Sequence, residues 1–161
     1  MTDIAPIDDT PEGALKHVVE CRLACPPEQA FELFVEVVWK QGGFQSMPWP
    51  LSKLKAKIVA EGEENGVGST RVIPSIVPAV VEEVVRSEKG KEIEYRVRRG
   101  MPLKYHRGNV VFEPVDEGAT KVVWTVTYIA MTGAGHLFRA QLKTLSTFLR
   151  SLEQAVALKT T

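Results

Sequence analysis

From His17 onward apolar and polar positions alternate on a short period, and only near the C-terminus does that period lengthen. Between Gly135 and Leu158, the residues Phe138, Leu142, Leu145, Leu149, Leu152 and Val156 recur at alternating steps of four and three, the stripe of an amphipathic helix. Burying these side chains offers roughly 9 to 18 kcal/mol of gross stabilisation, an upper bound because unfolded chains already hide some surface. Such a helix needs an apolar surface to lie on, and the preceding chain supplies it in period-two segments.

Val19, Cys21 and Leu23 alternate with Glu20 and Arg22, which predicts a first strand over 17–25 that Pro26 and Pro27 stop. Pro27 suits the first turn of a helix, Glu28 complements its positive end, and Ala30, Phe31, Phe34 and Val37 follow along it. Residues 39–52, WKQGGFQSMPWPLS, mix Trp39, Phe44 and Trp49 with two glycines and two prolines, so they cannot form one regular element. Aromatics in a broken segment suggest a lid or a short helix at a cavity mouth, or, for Trp49, a seal over the core.

Leu54, Ala56, Ile58 and Ala60 alternate with Lys53, Lys55 and Lys57, and Asn65–Gly66 turns the chain back over 68–73. Pro74 and Pro78 then interrupt the ladder and imply a bulge or wide bend. Segments 79–87 and 91–99 flank Glu88–Lys89–Gly90, and 103–113 and 120–131 flank Asp116–Glu117–Gly118. This order predicts an α+β fold, a curved antiparallel sheet of six to seven strands wrapped around the long C-terminal helix. The helix cannot fill the sheet completely, so a cavity between them is expected.

Strand parity assigns its walls. Tyr95 and Val97 face inward because Glu92, Glu94, Arg96 and Arg98 would hardly share a buried face. Aromatic area puts Val122, Trp124, Val126 and Tyr128 inward, leaving Val123, Thr125 and Thr127 on an outer face available for homodimerisation. In 103–113 the set His106, Gly108, Val110 and Phe112 is favoured over Tyr105, Arg107, Asn109 and Val111. The expected ligand-binding residues are therefore Trp49, Tyr95, Val97, His106, Val110, Phe112, Trp124, Tyr128, Phe138, Leu142, Leu145 and Leu149. His106 would be a titratable group poised near neutral pH inside the cavity, as acid, base or hydrogen-bond anchor, although a histidine on a strand is more often a satisfied structural residue. Catalytic residues stay unassigned, with His106, Tyr95 and Arg71 as candidates, because a proton-transfer site leaves almost no linear signature.

With 161 residues and 44% hydrophobic content, one domain over 15–161 is expected behind a flexible arm, 1–14, rich in Asp, Pro and Gly. Lys plus Arg and Asp plus Glu both total 20, so charge gives no reason to expect a polyanionic partner. The segment RVRRGMPLKYHR, 96–107, is locally basic and could hold an acidic head group, but Glu92 and Glu94 dilute it, and no nucleic acid is expected. The N-terminus lacks the basic start and apolar core of an export signal, and no apolar run reaches about 18 residues, so a cytoplasmic protein without an integral membrane segment is expected. Cys21 and Cys25 on one strand would stand about 13 Å apart, too far for a disulfide, and a lone C-x3-C pair lacks the ligands of a zinc site. No metal or other cofactor is expected. No G-x-S-x-G, P-loop, G-x-G-x-x-G or metal-spaced histidine pair occurs.

PPEQAFELF after the first strand, Trp49–Pro50, GVGSTRV at 66–72, EEVV at 82–85, EYRV at 94–97, GNVVFEP at 108–114, TKVVWTV at 120–126 and the closing helix stand in a characteristic order. Over about 15–158 the chain resembles the START-like (SRPBCC) superfamily, in its polyketide cyclase/dehydrase-type, helix-grip branch. The resemblance implies a START/Bet v 1-like fold gripping an apolar tunnel. It also implies a small hydrophobic ligand such as a lipid, sterol or polyketide, held by a carrier, a sensor or a sequestering protein. The alternative it implies is a non-redox cyclase or dehydratase using pocket Tyr, His and Arg groups. Arg71 and Glu83 look similar to the family's polar positions in this region, and Trp124 to its late tryptophan.

Overall fold

The computed structural model describes residues 9–74 and 79–159, so Pro78 and most of the N-terminal arm lie outside the described residues. The elements are β1 (Leu15–Leu23), α1 (Pro27–Leu33), β2 (Lys57–Ala60), β3 (Thr70–Ile73), β4 (Val80–Glu88), β5 (Glu92–Arg99), β6 (Leu103–Asp116), β7 (Ala119–Ala130), α2 (Gly135–Leu142) and α3 (Leu145–Lys159). The strands form one antiparallel sheet of seven in the order β1-β7-β6-β5-β4-β3-β2. Every pair but one is consecutive in sequence; β1 adds to the far side of β7, which leaves β1 and β2 as the edges. Register shifts at Ile58/Ala60, Val81/Glu82, Val84/Arg86, Leu103/Tyr105 and Pro114/Asp116 insert bulges, which bend a sheet and raise its twist. The curvature they produce lets the concave face wrap a helix.

The core lies on that face. Val110, Phe112, Val122, Trp124, Val126 and Tyr128 from the sheet meet Phe138, Leu142, Leu145, Leu149, Leu152 and Val156 from the C-terminal helices, all buried. The C-terminal helix is long, as the stripe predicts, with one irregular turn at Lys143–Thr144, where the Thr144 hydroxyl donates to the Gln141 carbonyl at 2.7 Å. Such side-chain competition for a backbone carbonyl is a common cause of a local break. No helix among the described residues is long and apolar enough to cross a membrane.

Three local outcomes differ from the periodicity. α1 runs on into a π-helical turn, Phe34–Lys40, so Trp39 ends a helix and is buried, where sequence placed it in the broken segment. Strand β2 starts only at Lys57, because Leu51–Lys53 forms a 3₁₀ turn, yet the alternation of Lys53, Lys55 and Lys57 outward persists through it. Glu94 lies on the outer face but is buried there, since Arg86 at 3.8 Å and Arg107 cover its carboxylate. On the same face Thr127 is buried and Val123 and Thr125 are half-buried between neighbours on β1 and β6, so less apolar surface is open there than parity implies.

Candidate functional site

Beneath α2 and the start of α3 a cavity of about 160 Å³ remains. Val80, Tyr95, Val97, Trp124 and Val126 form its floor, Phe138, Leu142, Leu145 and Phe148 its roof, and Phe44 and Met47 one end. Arg71, Glu82, Tyr95 and His106 bring polar atoms into this apolar shell.

Tyr95 crosses its partner Gly108 on β6: a Cβ added at Gly108 would stand 2.1 Å from the ring, so only glycine leaves room. The Trp124 indole N–H donates to the Tyr95 oxygen at 2.9 Å. That leaves the phenolic proton to be donated elsewhere. Burial first, and the Glu82 carboxylate second, push the Tyr95 pKa far upward, so the group stays a neutral donor.

His106 does not behave as the neutral-pH acid or base the sequence offered. Its Nδ1 accepts the Val97 backbone N–H at 3.1 Å. Burial, assisted by the nearby Arg96 charge, lowers its pKa to about 3. The imidazole is therefore neutral, with Nδ1 as acceptor and the proton on Nε2, and its contribution to the cavity is a hydrogen-bond donor.

Arg71 and Glu82 face each other across β3 and β4 and point inward together. Arg71 Nε donates to Glu82 Oε2 at 2.8 Å, and Nη1 donates to the carbonyls of Val38 and Trp39 at 2.6 and 2.9 Å. These carbonyls end the π-helical turn, so the guanidinium caps its negative end while lying 4.3 Å above the Trp39 ring. Arg71 is thus fully engaged and shapes the wall instead of standing free for proton transfer. Its acidic partner is Glu82, whereas Glu83, which resembles a polar position of the family, turns outward to Arg98 at 3.0 Å.

Among the expected ligand-binding residues, Tyr95, Val97, His106, Trp124, Phe138, Leu142 and Leu145 border the cavity. Val110, Phe112, Tyr128 and Leu149 are inward but packed. Phe112 meets Phe31 and Phe34 with ring centres 5.5 and 5.9 Å away, and Tyr128 meets Phe138 at 4.6 Å. Trp49 is neither lid nor seal, being 78% exposed. The chain is pinned just before it, by Phe44 against Phe148 and by Ser46 hydrogen-bonded to Ser151 and Gln154, so Trp49 projects past the anchor. Sequence reading missed Met47, Glu82, Met101 and Phe148 as lining residues and placed Phe44 only in the broken segment at the cavity mouth. Phe148 flanks Leu149 of the helical stripe, which was the available signal; Glu82 sits in V-V-E-E-V-V, where either parity fits.

A second cavity, about 320 Å³, opens on the other side of Trp39, between the π-helical turn and the 61–69 loop, and carries Glu61, Glu63 and Glu64 on its rim. Trp39 and the Arg71 stacked on it partition the two spaces. Among the described residues no group of His, Cys, Asp and Glu side chains is placed to hold a metal ion.

The fold has close counterparts. The aromatase/cyclase Zhui from Streptomyces sp. R1128 superposes with a TM-score of 0.68 at 14% identity, over 92% of this chain and 96% of its own. Norcoclaurine synthase from Thalictrum flavum gives 0.65 at 11%, over 89% and 88%. A protein from Thermus thermophilus gives 0.64 at 20%, over 91% and 100%. At such identities these likenesses show the shared fold alone. No curated protein sequence matches the chain. The model of the family described as polyketide cyclase/dehydrase and lipid transport, however, matches residues 15–157, nearly all of the described structure. The sheet gripping its C-terminal helix, the cavity between them and this match agree: the chain belongs to the polyketide cyclase/dehydrase and lipid transport family.

Proposed function

We propose that the protein binds a small hydrophobic ligand bearing an oxygen function, as a carrier, sensor or sequestering protein, in the cavity beneath α2 and α3. The observation that carries this reading is an apolar roof and floor joined to two neutral donors, the Tyr95 hydroxyl and the His106 Nε2–H. Apolar walls supply affinity and a few placed polar groups supply orientation. A cavity of about 150 Å³ accommodates benzene, so this one, at about 160 Å³, suits a single ring or a short alkyl chain. A sterol or multi-ring polyketide requires the roof to lift, for which the irregular turn at Lys143–Thr144 provides a joint.

Native mass spectrometry of the purified protein, followed by thermal shifts against phenols, diketones, medium-chain lipids and sterols, tests the reading. Ring-sized oxygenated ligands should raise Tm, and Tyr95→Phe should weaken them by about tenfold, the worth of one hydrogen bond. No stabilisation across the whole panel overturns it.

A cyclase or dehydratase is the second reading, favoured by the same pair of donors. Aimed at one carbonyl oxygen, they would stabilise an enolate, and the Glu82 carboxylate borders the same cavity as a proton acceptor. Turnover of a model poly-β-ketone, reduced about 100-fold by Tyr95→Phe, is its signature. Binding without turnover leaves the carrier reading alone.

A further inference from the structure

The sheet has a seam where β5 and β6 meet the outside. Their paired residues run from Glu92↔Val111 to Tyr95↔Gly108 and then stop, although β5 continues to Arg99 and β6 begins at Leu103. Beyond that point the Val97 N–H goes to the His106 imidazole, and Arg96 Nη1 donates to the His106 carbonyl at 3.2 Å. Side chains therefore substitute for backbone ladder bonds across the seam.

Outside the seam lies a hollow of about 100 Å³, and Val97, Met101 and His106 line both this hollow and the inner cavity. These three side chains are the partition. One of them, Met101, is unbranched, half-buried and readily moved. Among the described residues the outer hollow is bordered by Arg98, Arg99 and Lys104 and by no carboxylate, the nearby Asp9 lining an adjoining hollow where it pairs with Arg96. Arg98 is held by Glu83, whereas Arg99 and Lys104 are exposed and have no carboxylate partner among the described residues. This collar is the core of the basic run 96–107, which the cavity and its donors leave unexplained.

We propose that the seam is a mouth of the cavity and that Arg99 and Lys104 form an anion subsite on it. The ligand class is an amphiphile whose carboxylate or phosphate sits on the collar while its apolar body passes Met101 into the cavity. This rests on the hydrophobic-ligand reading and adds to it a charged head group and a route. Arg offers a forked, bidentate contact and Lys a point charge, a combination suited to either anion.

Calorimetric titration of the full chain with octanoate, octyl phosphate and octanol separates the two levels. The two anions are expected to bind about tenfold tighter than octanol, with an advantage that shrinks as salt is raised. Arg99→Gln combined with Lys104→Gln should abolish that advantage while leaving octanol binding unchanged. The better of the two anions identifies the head group. Equal binding of anions and octanol to the unaltered protein, or an anion preference that survives the double substitution, overturns the subsite without touching the hydrophobic-ligand reading. Failure of all three to bind overturns the subsite and counts against that reading as well.

Discussion

At the scale of single residues the site is a set of exclusions as much as contacts. Gly108 exists for Tyr95: any side chain there would meet the ring at about 2.1 Å. Gly108→Ala should therefore displace the ring and cost roughly 1 to 3 kcal/mol by overpacking, read from urea unfolding. It should also shift ligand affinity, because the Trp124 to Tyr95 hydrogen bond moves with the ring. The buried Arg71–Glu82 pair, with side chains 4% and 9% exposed, behaves differently from a surface bridge. Glu82→Gln leaves an uncompensated buried guanidinium, and a loss of about 3 to 5 kcal/mol is expected. Replacing both partners by Met and Leu should cost less than the sum of the single changes, which a double-mutant cycle measures. His106 sets a pH dependence whose sign follows from its lowered pKa. Unfolded, it takes up a proton near 6.5, and folded only near 3, so the unfolded state binds more protons between these values. Its contribution is complete above about pH 6.5 and falls, at up to about 1.4 kcal/mol per pH unit, as pH drops toward 3. His106→Gln, which can still accept the Val97 N–H but cannot titrate, should flatten the stability profile in that window; an unchanged profile would refute the assignment.

Elements were legible where one period runs unbroken. The C-terminal stripe predicts which helix residues are buried: Leu152, on it, is fully buried, and Leu137, off it, is 61% exposed. Leu152→Ala should destabilise by about 2 to 5 kcal/mol and Leu137→Ala by no more than about 0.5, compared by chemical denaturation. Strands β5, β6 and β7 likewise show the inward faces that parity assigns, because a period of two tolerates no slip when one side is apolar. Less legible were the ends. The π-helical turn at 34–40 depends on Arg71 from a strand more than thirty residues on, which captures its last carbonyls, and no local pattern announces that partner. Similarly, Trp49 was expected at the cavity because it is aromatic, yet the anchor at Phe44–Ser46 decides which way it projects.

For the molecule as a whole, the expectation of one folding unit over 15–161 becomes a prediction. Tryptophan fluorescence, reporting Trp39 and Trp124 on α1's side and in the sheet, and far-ultraviolet dichroism should give coincident unfolding curves; separate midpoints would argue for two units. Periodicity, with the charge and aromatic area carried on each face, determined the strand and helix order, the curved-sheet class and the inward faces of β5, β6, β7 and the C-terminal helices, since these follow from side-chain alternation and one helical face, both local properties. Tertiary structure decided which inward residues border open space. Phe112 is packed because α1 lies on it, and Tyr95 and His106 line a cavity because the roof of α2 and α3 stands clear of them. It also decided that Glu82, and not Glu83, meets Arg71, and that His106 is a neutral donor. Those outcomes depend on where separate elements cover one another and on how far each group is withdrawn from water, which no stretch of sequence fixes by itself.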